Sequence, residues 1–139
     1  MSVPYIYKQS NVKVSFESVV CTDIPEDEDI VVEYPEDHWT SQANIGGGGI
    51  YSARSSRKAR ITVPIMQGSK WISILNTYKL ADKMITVTVS DNNSYDGAST
   101  FISAYSVIQD SGASYGTEAS SRTFVFECMH ILEVNNPTE

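Results

Sequence analysis

Cys128 and His130 stand two residues apart, which on a strand would put both side chains on one face. With Cys21 and His38 they supply the donor types of a Cys2His2 zinc site. Their spacing matches no zinc-finger pattern, so the reading that fits is two free buried thiols, with His130 a partly buried polar residue. A second group is a block of eight carboxylates within residues 23–37: Asp23, Glu26, Asp27, Glu28, Asp29, Glu33, Glu36 and Asp37. Paired carboxylates do acid–base work in glycosidases, but from rigid walls around a sugar cleft. Here they crowd a turn beside Pro25, where a solvated, repulsive acidic surface is the simpler reading. The third group is basic: Arg54, Arg57, Lys58 and Arg60. These could touch phosphate. With the acidic block nearby, pairing of the two blocks within one subunit or between subunits is the expectation. The fourth is the run Gly46–Gly49, which lacks the Gly-Lys-Ser/Thr of a phosphate loop and opens no helix. The expectation is therefore a protein that is not an enzyme and holds no metal and no cofactor. A carbohydrate-binding or hydrolytic module is the remote alternative.

The elements that must position these groups read as mainly β. Asn11–Val20 alternates, with Val12, Val14 and Phe16 on one side and Lys13, Ser15 and Glu17 on the other, the pattern of a half-exposed strand. Asp23–Asp29 is a charged turn and Ile30–Tyr34 a short strand closed by Pro35. Glu36–Gly49 is a long loop or the tip of a hairpin, because a glycine run is too costly in backbone entropy for regular structure. Ile50–Ser55 and Ala59–Met66 read as strands, possible halves of one long strand. Ala59, Ile61, Val63 and Ile65 share a face, and Pro64 marks a strand end or an edge. Ser69 suits an N-cap. Trp71, Ile74, Leu75 and Tyr78 follow at helical spacing, so the pattern predicts a helix over Lys70–Ala81. Met84–Ser90, Ser99–Gln109 and Arg122–Glu133 read as strands, separated by the turn Asp91–Gly97 and the Gly/Ser-rich loop Asp110–Ser121. The sum is an antiparallel β-sandwich or barrel of about six to seven strands with one flanking α-helix and a long hairpin loop. The whole of residues 1–139 reads as one domain, with a hairpin extension at about 35–58 and a polar tail at 135–139.

The net charge is −7, which argues against tight binding to nucleic-acid phosphates but not against nucleic acid passing nearby. No apolar stretch approaches the roughly 20 residues that span a bilayer, so no membrane insertion is expected. The start MSVPYIYKQS lacks the pattern of a signal peptide, and the expectation is a protein made in a cytosol-like compartment.

The order of these features resembles the tail tube proteins of contractile-tailed bacteriophages. An alternating strand begins near residue 11 and an acidic turn leads into a short strand, DEDIVVEY. A Gly-rich turn, IGGGG, precedes a strand of alternating small and basic residues, YSARSSRKARITVPI. An amphipathic helix follows in MQGSKWISILNTYKL, and an aromatic strand, TFVFECMHILEV, comes last. The resemblance covers nearly the whole chain.

It implies a subunit that closes into hexameric rings, stacked into a tube that conducts DNA during ejection. The implied partners are further copies of the chain, the tail sheath, the baseplate or initiator and the tape-measure protein, with DNA passing through the lumen. The implied location is the tail of a virion assembled in the host cytoplasm. A tube protein of a contractile secretion or injection system, or a tail terminator or connector ring, is the alternative within this class. Negative charge along a lumen would repel phosphates and let DNA slide. Asp23, Glu26, Asp27, Glu28, Asp29 and Glu17 are the lumen-facing candidates. Trp39, Ile45, Gly46, Gly49, Ile50, Tyr51, Arg54 and Arg57 are the candidates for contacts between subunits or rings. Trp39, a large apolar group in a loop, is either an interface anchor or packed beneath its own loop.

Overall fold

The computed structural model describes residues 6–26, 28–54, 57–93 and 98–135. In chain order the strands are β1 (Val12–Phe16), β2 (Val19–Cys21), β3 (Val31–Glu33), β4 (Trp39–Ala43), β5 (Gly49–Ala53) and β6 (Ala59–Ile65). The helix α1 (Lys70–Leu80) follows, then β7 (Ile85–Asp91), β8 (Ser99–Gly112), β9 (Arg122–Cys128) and β10 (Leu132–Asn135). Eight strands make one antiparallel sheet in the order β2-β1-β7-β8-β9-β6-β3, with β10 on β8, while β4 and β5 pair separately. No helix among the described residues is long and apolar enough to cross a membrane.

The alternation in the sequence decides which face is buried. Val14 and Phe16, Ile61, Val63 and Ile65, Ile85 and Val87, and Phe124 and Phe126 are all inaccessible to solvent. They line one face of the sheet, and the sheet wraps around them. The rings of Phe16 on β1 and Phe126 on β9 lie 5.4 Å apart, although β7 and β8 intervene between those strands. In a flat sheet that separation would be about 14 Å, so the sheet is curled into an open barrel. Its two ends touch where the Met66 N–H donates to the Asp23 carbonyl at 2.8 Å.

Helix α1 covers one part of this core with Trp71 and Leu75. Trp71 packs on Phe16 at 5.3 Å between ring centroids. The Ser69 hydroxyl accepts the Trp71 N–H at 3.2 Å and itself donates to the Asp23 carboxylate at 2.5 Å, so the N-cap is held by the segment after β2. At the other end Lys83 N–H bonds the Tyr78 carbonyl and Asp82 N–H that of Lys79, with Asp82 at φ 53°. That is the Schellman arrangement with aspartate in place of glycine.

Three elements differ from the sequence expectation. The run Asn11–Val20 is not one strand. Glu17 and Ser18 adopt φ of 51° and 68° and turn the chain into a β1–β2 hairpin, as both central residues of a type I′ turn must. Glu36–Gly49, expected as a loop or hairpin tip, contains the strand β4, which pairs with β5 apart from the main sheet; of the two alternatives for Ile50–Met66, it is the two separate strands that form. Arg122–Glu133 is interrupted at 129–131, where the Ile131 N–H leaves the ladder for the Arg57 carbonyl at 3.2 Å. Cys128 pairs with Ser106 before the break and Leu132 with Ile102 after it, so the register resumes unchanged. Pro64 is tolerated because β3 ends opposite Thr62, leaving one side of β6 without a ladder partner there. The Asp91–Gly97 turn and the 135–139 tail fall largely outside the described residues.

Two outcomes follow from this packing. Phe16→Ala removes the ring that bridges α1 and β9 and should cost about 3–5 kcal/mol. Trp39→Ala, at an exposed site, should stay within about 0.5 kcal/mol; urea unfolding of both variants checks the contrast. Burial, reinforced by the Asp23 charge and partly offset by a backbone hydrogen bond at Asp23, raises the Cys21 thiol above its ordinary 9.0. A raised folded value favours the native state fully below the unfolded value and less as pH climbs. The wild type should therefore lose stability above about pH 9 more steeply than Cys21→Ala, measured as the urea midpoint between pH 8 and pH 10.

Candidate functional site

The β4–β5 hairpin is an arm that stands off the barrel. Every residue of both strands is exposed, and among the described residues these strands pair only with each other. Trp39 lies opposite Ala53 and Ser41 opposite Tyr51, so Trp39 and Tyr51 share one face of the arm. Ile50, opposite Gln42, points to the other face. Trp39 is 60% exposed, Tyr51 78% and Ile50 67%, and Ile45 at the tip is fully exposed. Of the two readings of Trp39, packing beneath its own loop is therefore not what is found. Its ring meets only the edge of its neighbour His38, centroids 5.3 Å apart.

The tip is organised by Asn44. Its N–H donates to the Gly48 carbonyl and its side-chain oxygen accepts the Gly48 N–H, both at 2.9 Å. Only two of the four glycines are required by this geometry. Gly47 has φ +91°, and a Cβ on Gly49 would come within 2.6 Å of the Gln42 carbonyl oxygen. Gly46 has room for a side chain.

The root of the arm joins the acidic and basic blocks within one chain. Glu36 reaches Arg54 at 3.4 Å and Lys58 at 3.8 Å, and the Arg54 N–H bonds the His38 carbonyl at 2.8 Å. Tyr34 donates to Glu133 at 2.9 Å. Partial burial, then that carboxylate, raises the Tyr34 phenol, and Arg57 opposes the rise. Arg54 and Arg57 thus sit in a mixed-charge crevice, and Arg60 pairs with Glu127 at 3.4 Å.

The acidic turn divides. Asp23 is engaged with Ser69, and Glu28 accepts from the Ser121 hydroxyl at 2.6 Å. Glu17, Glu26 and Asp29 are exposed, Glu17 at the tip of the β1–β2 hairpin. Asp27 lies outside the described residues. Between β1 and β3 runs a seam made of two adjoining cavities of about 520 Å³ each, which share Gln9, Val12 and Ile30.

The metal-like set does not assemble. Cys21 and Cys128 are free and buried. The break after Cys128 leaves His130 exposed, so the two do not share a strand face. Among the described residues no three His, Cys, Asp or Glu side chains are grouped to hold a metal ion. Residues 112–116, Gly-Ala-Ser-Tyr-Gly, have the Gly-x-Ser-x-Gly spacing of a nucleophile elbow. That motif needs a strand-to-helix turn; Ser114 instead lies exposed in the connection between β8 and β9. The partition of charge between the acidic and basic blocks extends along the chain. Between His38 and Ala81 lie six of the ten Lys and Arg and none of the seventeen Asp and Glu.

No protein-family model matches the sequence, and no curated protein matches it. Solved structures do share the fold. A chain of the anti-feeding prophage cap, the AFP tube terminating cap, superposes with a TM-score of 0.65 at 8% identity, over 98% of this chain and 95% of that one. A chain from the PVC sheath–tube complex, an extracellular contractile injection system in the extended state, gives 0.59 at 13% identity over 96% and 95%. A chain from the sheath/tube terminator of the same system gives 0.57 at 12% identity over 96% and 99%. The fold is thus one found in the tube-associated parts of contractile injection systems.

Proposed function

We propose that this chain is a structural, non-enzymatic ring subunit of the tube of a contractile tail or injection system. The observation that carries this reading is the arm. An isolated two-stranded hairpin is marginal in water, and this one presents Trp39, Ile45, Ile50 and Tyr51 to solvent. Large aromatics held on a projecting arm suit an interface core. The likeness to tube and terminator chains supports the class, since it leaves almost none of this chain over for another activity.

Within the class, the role at the end of the tube is favoured over the repeating tube subunit. Of the three similar structures described above, two are of a tube terminating cap and a sheath/tube terminator, and the cap has the highest TM-score of these three. In this role copies of the chain close into a ring, six by the tail-tube resemblance, and meet the tube on one side and the sheath around it. Glu17, exposed at the tip of the β1–β2 hairpin, is the lumen candidate this arrangement favours, where it would repel passing DNA. The particle's tail is then the place of the protein.

Negative-stain electron microscopy and sedimentation of the purified protein test this reading. The expected result is closed rings whose size does not grow with concentration. Long hollow tubes would move the chain to the repeating subunit, and monomers under all conditions would overturn self-assembly. The variant Trp39→Ala/Tyr51→Ala should keep the wild-type circular dichroism spectrum and weaken ring formation by roughly tenfold or more in association constant, as loss of interface aromatics does. Unchanged ring formation by that variant would remove the arm from the interface.

A further inference from the structure

The barrel has an opening, and the chain carries a part that fits it. The sheet's two ends touch at Asp23 and Met66 and separate beyond that contact. Among the described residues no strand pairs with the outer side of β3, or with Val12 and Lys13 on the side away from β7. What spans the gap is a side chain: the Gln9 amide donates to the Glu28 carbonyl at 2.8 Å. Between these two unpaired backbone edges lies the seam, walled by Val12, Ile24, Ile30, Val31 and Val32. Its rim carries the exposed carboxylates Glu26 and Asp29, with Lys13 as the one cation among its lining residues.

We infer that the seam of one copy receives the β4–β5 arm of the next. The inference rests on the self-assembly reading above and names the surface that the arm meets. The chain does not fill its own seam: among the described residues its arm pairs only with itself, and it is exposed along both strands. The arm carries no charge from Trp39 to Ala53, and its root holds the three cations Arg54, Arg57 and Lys58 against the two carboxylates Glu36 and Asp37, with Glu36 shared between Arg54 and Lys58. It thus offers an apolar Trp39–Tyr51 face to an apolar floor, and cations to a carboxylate rim. Elsewhere, copies with net charge −7 repel one another. The acid-free segment from His38 to Ala81 is the part of the chain that a carboxylate-rimmed surface attracts. Arm and seam are different surfaces of one chain, so the contact repeated in one sense is head-to-tail and builds a ring when the rotation closes, whereas a reciprocal exchange of arms would stop at a dimer, which sedimentation distinguishes.

The test mixes two single-cysteine variants under mild oxidation. One carries Tyr51→Cys on the arm and the other Thr22→Cys, an exposed residue lining the seam. Cys21 itself lines the seam, so both variants also carry Cys21→Ala and Cys128→Ala, which leaves each with the one introduced cysteine. The expected result is a reducible cross-linked dimer in the mixture and in neither variant alone. Adding Arg57→Glu to the arm partner should lower the yield roughly tenfold, and adding Glu26→Lys and Asp29→Lys to the seam partner as well should restore it. Sedimentation run in parallel separates the two ideas. Assembly without the cross-link overturns the seam as the arm's receptor and leaves self-assembly standing. Absence of assembly at every concentration overturns both.

Discussion

The contact of Phe16 with Trp71 and Phe126 is what the rest of the structure depends on. It ties β1 and β9 across the face of the sheet and brings α1 onto the same ring. A single sheet with one apolar face must cover that face. Among the described residues one α-helix does so, and curvature covers the remainder. Curling brings the segment after β2 to the end of β6, where Asp23 bonds Met66 through its carbonyl and Ser69 through its carboxylate. Asp23 thus joins strand closure to helix capping, which is why an aspartate of the acidic block is turned inward. Curling also has a geometric remainder. A strongly twisted sheet that meets along only part of its edges leaves a wedge, and the seam between β1 and β3 is that wedge.

The parts of this fold that were legible in the sequence are those governed by periodicity. Ile85, Val87 and Val89 alternate, as do Ala59, Ile61, Val63 and Ile65, and both sets are buried. The helix followed from the spacing of Trp71, Ile74, Leu75 and Tyr78. What was not legible are the places where the chain changes direction for non-local reasons. Glu17–Ser18 makes a type I′ turn without the Asn-Gly or Asp-Gly that announces one, so the alternation of β1 appeared to run on into β2. The break at 129–131 is set by a hydrogen bond to Arg57, more than seventy residues away in the chain, which no local pattern can signal. For the candidate surface, a hairpin extension around the glycine run was legible from composition, whereas the strand β4 that carries Trp39 was not. The fate of the acidic turn was not. Asp23 and Glu28 are engaged within the chain while Glu26 and Asp29 face solvent, a division that depends on where Ser69 and Ser121 arrive in three dimensions.

The arm and the barrel are stabilised on different principles. In the barrel, apolar side chains leave water on folding, which is worth about 25 cal/mol for each Å² removed. In the arm no such term is available to the free chain, because its side chains remain exposed. The arm is held instead by its ladder, by the Asn44 tip and by ion pairs at its root between half-exposed side chains, and exposed pairs of this kind contribute little. Its conformation in the free chain is therefore the least strongly determined of any described element, and covering it on assembly adds the apolar term it lacks.

In the proposed assembly, charge sets the direction. If acids and bases were mixed evenly, every surface of a protein with net charge −7 would repel every surface of its copies alike. Here the cations concentrate in a segment free of carboxylates, while the acids concentrate in the turn that borders the seam. Repulsion between like faces disfavours contacts in which a patch meets its own copy, and attraction between unlike faces favours arm against seam, a contact that is head-to-tail when repeated in one sense. Head-to-tail contacts generate rings or filaments and not pairs. A chain whose attraction for itself runs in one sense only is suited to closing a ring on a tube, and the partition of its charges supplies that sense before any close contact forms.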